Sequence, residues 1–163
     1  MKLKPEWGNR MWILVYIFFI ILIAVAYFVP KNLTKSELYT TSIFAVMYGL
    51  MTDEVLDLHY NLYGYFKHGF QWQGFLSSFM YFIPVSILFL NFFPVAGSTL
   101  KKIKYIIMWA IFSVVFEWLI LQTAYLYYNG WKLWYSALLY PFIFLILFTN
   151  LKLFRKLNIS KKG

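Results

Sequence analysis

Apolar and polar positions fall along this chain in long blocks rather than in the period of two of a strand or the narrow stripe of a soluble helix. Met11–Val29, Phe75–Phe93 and Trp134–Leu151 carry no charge at all. At 1.5 Å of rise per residue, each is long enough to cross the hydrocarbon of a bilayer as a helix. Ile103–Leu126 is a fourth block, with Glu117 well inside it, and Ser36–Thr52 is a shorter fifth block containing hydroxyls and a glycine. The pattern predicts an all-α fold, an integral membrane bundle of five transmembrane helices forming a single domain over residues 1–163. The spans lie at about 11–29, 36–52, 75–93, 103–126 and 134–151. Four spans result if 36–52 does not cross. Pro84 falls inside the third span, where a proline kinks a helix. Lys2, Lys4 and Arg10 followed by Ala24-Val25-Ala26 mimic a signal peptide. The apolar stretch is nevertheless of full spanning length and continues past Ala26, so it reads as a retained helix.

Composition supports this class. Hydrophobic residues make up 62 % of the chain and charged residues 13 %, against about 25 % charged in a soluble domain. A compact soluble fold of this size would leave too much of that apolar surface in water. Trp12, Trp72, Trp131, Trp134 and Tyr135 sit where blocks end, the headgroup level favoured by amphipathic rings. The net charge of +9 is scattered over loops and tails. That distribution suits a bilayer with anionic headgroups as partner and not nucleic acid. Cysteine is absent, which excludes disulfides, thiolate metal sites and cysteine nucleophiles. No phosphate-binding loop, nucleotide motif or cofactor signature is present, and no nucleophile–base arrangement.

Lys and Arg counts set an orientation. With five spans, ten bases fall on the side of the C-terminus and five on the other, counting Lys2, Lys4, Arg10, Lys67 and Lys132. The expected topology is multi-pass in a bacterial cell membrane, with the C-terminus in the cytoplasm.

Six acids occur in the chain, so their placement carries information. Glu6 and Glu37 lie near lysines and read as solvated surface groups. Glu117 lies deep in a span, near the bilayer middle by this count. An ionised carboxylate there costs at least ~2–3 kcal/mol, so it must face protein or a water-filled cavity, or be protonated. Ala110, Ser113, Glu117 and Ala124 share one helix face, and Thr41, Ala45, Gly49, Asp53 and Asp57 recur every four residues. Small-residue stripes let helices approach closely in lipid. The second and fourth spans are therefore expected to pack through Thr41, Ala45, Gly49, Ala110, Ser113 and Ala124. The candidate intramembrane polar site comprises Glu117, Asp53, Asp57 and His59. It can be read as a proton or cation site, or as a solvated helix end beside a packing carboxylate. His59 and His68 with nearby acids would make a weak metal site, and none is assigned. The aromatic stretches 59–74 and 129–136 read as interfacial loops.

Asp57-Leu58-His59-Tyr60-Asn61-Leu62-Tyr63-Gly64-Tyr65-Phe66, Phe116-Glu117-Trp118 and Tyr128–Ser136 together resemble an uncharacterised family of small multi-pass membrane proteins from Gram-positive spore-forming bacteria. The resemblance covers roughly residues 40–155. It implies a bacterial plasma-membrane location and carries no functional residue, because the family has no assigned activity. Three functional classes follow, in order: a non-enzymatic accessory or assembly protein binding a membrane partner or a second copy; a small proton- or cation-linked transporter or channel subunit using Glu117 and Asp53/Asp57; and a lipid-active enzyme.

Overall fold

The structure, a computed structural model, describes residues 11–159. Glu6 and the bases Lys2, Lys4, Arg10, Lys161 and Lys162 lie outside the described residues. The fold is all-helical, with α1 (Trp12–Phe28), α2 (Lys35–Asp53), α3 (Trp72–Asn91), α4 (Thr99–Leu121) and α5 (Leu133–Ile159). Two short strands, β1 (Tyr63–Tyr65) and β2 (Leu126–Tyr128), complete it. Helices α3, α4 and α5 are long and apolar enough to cross a membrane. Helix α1 is apolar but shorter, at 17 residues. Helix α2 has 19 residues and is more polar than these, carrying Lys35, Glu37 and Asp53.

The bundle turns its apolar side chains outward. On α2 the exposed row is Tyr39, Ile43, Met47 and Met51; on α4 it is Ile103, Ile107, Ile111, Val115 and Leu119. Both rows keep the four-residue spacing of one helix face. Beside its apolar clusters the interior also takes Thr41, Ser77, Ser86 and Ser113, each 1 % exposed or less. The Thr41 hydroxyl is satisfied locally by donating to the Glu37 carbonyl, and that of Ser86 by donating to Ile83. Exposed apolar rows of this length are what lipid, rather than water, accommodates.

One end of the bundle, toward which the lysine-rich loops run, is tightly pinned. Asn91 accepts from the Asn32 backbone N–H at 2.7 Å and donates to the Pro30 carbonyl, clasping the α1–α2 turn to the end of α3. Glu37 departs from the sequence expectation. It is buried rather than solvated, closes a capping box with Thr34, and accepts from Arg155 Nε at 2.5 Å. That ion pair explains why α5 continues beyond the apolar block ending at Leu151. The half of the bundle above this end is filled by a cluster including Leu22, Ala26, Leu88, Phe89, Phe93, Phe144, Leu147 and Leu151.

The opposite end is built differently from the interfacial loops expected. Helix α2 passes into a π-helical turn, Glu54–His59, in which Tyr60 N–H reaches back five residues to Val55. Asn61 in the left-handed region, at φ 49°, then releases the chain into β1. Helix α4 stops at Leu121, five residues short of the predicted span. The Thr123 hydroxyl donates to the Ile120 carbonyl and accepts from Tyr125 N–H, so the chain is capped off and turned. Strands β1 and β2 pair antiparallel, with Tyr63 opposite Tyr128 and Tyr65 opposite Leu126. At Gly64 the Tyr127 side chain lies over the ribbon, 2.5 Å from where a Cβ would stand. Gly130, at φ 105°, makes the turn that follows β2.

Candidate functional site: a carboxylate chamber beneath the ribbon

Under the ribbon lies a cavity of about 180 Å³, to which all five helices contribute. Helix α2 brings Ala45, Gly49 and Asp53, while α4 brings Ser113 and Glu117. The two small-residue stripes thus face the same cavity. They do not form the helix–helix contact that the sequence predicts. Helix α2 packs mainly on α3, and α4 on α5; a Cβ on Gly49 would strike the Phe82 ring of α3. Thr41 and Ala110 are buried but are not among the lining residues. Ala124 lies past the end of α4 and so is off the stripe.

Each carboxylate is held by hydroxyls from the ribbon. Glu117 Oε1 accepts from the Tyr128 hydroxyl of β2 at 2.6 Å and from Ser136 at 2.8 Å, and Oε2 accepts from Tyr140 at 2.7 Å. Ser136 in turn accepts from the Trp131 indole N–H at 2.8 Å, which fixes its orientation. Asp53 accepts from the Tyr63 hydroxyl at 2.7 Å, and Tyr65 approaches both its oxygens at 3.3 Å. The acids of α2 and α4 therefore grip opposite strands of the same ribbon. Three hydroxyl donors thus satisfy the two oxygens of Glu117, the partnering that a buried carboxyl group needs. Glu117 is also shallower than the span predicted, four residues or ~6 Å from the end of α4, because the helix ends early.

Two further polar groups mark the wall. Ser113, one turn before Glu117, is 1 % exposed and its Oγ has no hydrogen-bond partner, although the Tyr81 hydroxyl lies beside it. Ser77 and Tyr125 share a hydrogen bond of 2.5 Å behind the ribbon. The cavity lining holds two acids and no Lys, Arg or His among the described residues.

Asp57 and His59 do not join this chamber. The wider π turn takes Asp57 off the Asp53 stripe and into an adjoining cavity of about 130 Å³, with Gly69, Phe70 and Gln71 in its wall. Asp53, Tyr65 and Ser78 line both cavities and form the partition. His59 is exposed and stacks edge-on against Tyr60. Among the described residues no group of three His, Cys, Asp or Glu is placed to hold a metal. The sequence reading missed Tyr63, Tyr65, Tyr128, Trp131, Ser136 and Tyr140. The alternation Tyr63-Gly64-Tyr65 and the four-residue step from Ser136 to Tyr140 were the available signals.

Burial pushes the Asp57 carboxyl up to about 6, with His68 opposing the shift. A carboxyl whose folded pKa is raised favours the folded state most at low pH. That contribution is lost as pH climbs from the ordinary aspartate range near 4 to about 6. The unfolding temperature of wild type is therefore expected to fall, relative to Asp57→Asn, between about pH 4 and pH 6. Parallel curves across that window would contradict this placement of Asp57.

Family models, curated proteins and solved structures provide no match to this chain.

Proposed function

We propose that this is a non-enzymatic protein of the bacterial cell membrane that binds a cation in the ribbon-end half of a five-span bundle. The observation that carries the reading is the chamber itself. Asp53 and Glu117, from different helices, line one cavity without a base among its lining residues, and two acids partnered by hydroxyls alone suit a positive or hydrogen-bond-donating guest. The outer row of α2 at Ile43, Met47 and Met51 supports counting it as a span despite its polar content, since Glu37 and Thr41 are buried. The basic end then suits the cytoplasm and the ribbon the outer side, in keeping with the family resemblance. The cluster around Phe89 and Leu151 fills the basic half. That favours a binding chamber over an open pore, and a receptor or accessory role, alone or beside a partner, over conduction.

The test uses the protein in neutral-lipid nanodiscs. Unfolding temperature is followed against Na⁺, K⁺, methylammonium and pH, for wild type and the double variant Asp53→Asn/Glu117→Gln. At least one of these cations should raise the wild-type value, as a ligand at 100 Kd adds about 2.7 kcal/mol, and none should act on the double variant. Identical responses from both proteins would refute the reading.

A further inference from the structure

We propose that the chamber takes the ammonium head of a membrane-dissolved alkylamine-type amphiphile, admitted sideways from the bilayer between α2 and α5. This rests on the cation-binding reading above and names its ligand class and entry. On α1 and α4 every chamber-lining side chain is buried; Tyr48 and Thr52 of α2, Leu56 of the π turn, Tyr81 and Phe82 of α3 and Ile143 of α5 are half-exposed, and the most open is Leu139 of α5, 40 % exposed. The mouth is therefore placed at Leu139, where α5 packs against α2, on a surface otherwise clothed in Met47, Met51 and Leu138.

The level of the mouth matters as much as its direction. Leu139 lies six residues into α5, ~9 Å from the ribbon end of the helix, and Ile143 lies ~15 Å in. Ser136, which holds Glu117, is only ~5 Å in. The mouth runs from Thr52 and Leu56, level with Asp53, down to Ile143, deeper in the bundle than either carboxylate. A guest with its cation on the carboxylates and its tail through the mouth would keep the orientation of an amphiphile in that leaflet. The ribbon and Trp131 close the chamber from above.

Size and chemistry agree with such a guest. A cavity of about 150 Å³ holds one benzene, so 180 Å³ accommodates an ammonium and several carbons while a longer chain leaves through the mouth. Glu117 Oε2 accepts a single hydrogen bond and the Ser113 hydroxyl has no partner, so both can receive N–H donors. Tyr65, Tyr81, Phe116 and Tyr140 supply aromatic faces to the same space, and cations bind favourably over such rings.

The experiment compares octylammonium, octanol, octanoate and methylammonium on the full chain in neutral-lipid nanodiscs, with affinity taken from the concentration dependence of the unfolding temperature. Octylammonium should bind at least tenfold tighter than each of the others. Leu139→Trp, which narrows the mouth, should weaken octylammonium at least tenfold, while a ligand-free unfolding temperature near that of wild type shows that the variant is folded. Octanol binding as tightly as octylammonium would overturn the proposal. So would equal affinity for methylammonium and octylammonium, which would still uphold a cation chamber. Failure of every cation to bind would overturn both.

Discussion

Glu117→Leu is expected to cost about 2–3 kcal/mol of stability and to abolish cation binding, while Glu117→Gln keeps the fold and loses the binding. The leucine strands the hydroxyls of Tyr128, Ser136 and Tyr140 at once. Hydrogen bonds within membrane proteins are individually modest, averaging about 0.6 kcal/mol, so the estimate comes from three of them plus the loss of a tie to the ribbon. A glutamine carbonyl can still accept from Tyr128 and Ser136, and its amide can donate to a rotated Tyr140 hydroxyl. Only the charge is gone. Denaturation in mild detergent measures the first effect, and cation-dependent stabilisation measures the second. A leucine variant as stable as wild type would show that the Glu117 network does not hold the ribbon.

The largest loss of stability is expected at the other end. Phe89 is 0 % exposed and meets the rings of Phe93, Tyr105, Trp109 and Phe144 within 6 Å between centroids. Its carbonyl also accepts the Tyr105 hydroxyl at 2.9 Å. Phe89→Ala removes those contacts from a rigid surround and should cost about 3–5 kcal/mol. In lipid the loss is chiefly dispersion rather than hydration, so the lower part of that range applies. Methylammonium affinity should change by less than about threefold, because the carboxylates and their hydroxyls are untouched. The same denaturation series decides it: a cost below about 1 kcal/mol would mean that this half is loosely packed and that the closed-end reading fails.

Much of the helical frame was legible because long apolar blocks have few alternatives. The apolar blocks at 11–29, 75–93 and 134–151 each correspond to a helix within a few residues, apart from the extension of α5. That extension depends on Arg155 finding Glu37 across 118 positions, which no local pattern encodes. The early end of α4 turns on Thr123, whose side chain competes with the helix for backbone partners; hydropathy averages over such a residue. Asp53 and Glu117 stood out in the sequence because acids are expensive in apolar surroundings, and they line the same chamber. Their partners did not stand out. A tyrosine in an aromatic-rich loop looks like an interfacial anchor until the pairing of Tyr63 with Tyr128 is known. Asp57 was placed on the Asp53 stripe by assuming α geometry, and the π turn removed it.

The absence of cysteine permits a direct reading of the chamber's electrostatics. Ser113→Cys places a single thiol in the chamber wall, and its modification by small methanethiosulfonate reagents of opposite charge can be followed by mass. The chamber should favour the cationic reagent over the anionic one by about tenfold or more, as clefts of one sign do for counter-ions. Adding Asp53→Asn and Glu117→Gln should bring the two rates together. Equal rates at Cys-substituted Ser113 in the otherwise native chain would contradict the cation chamber.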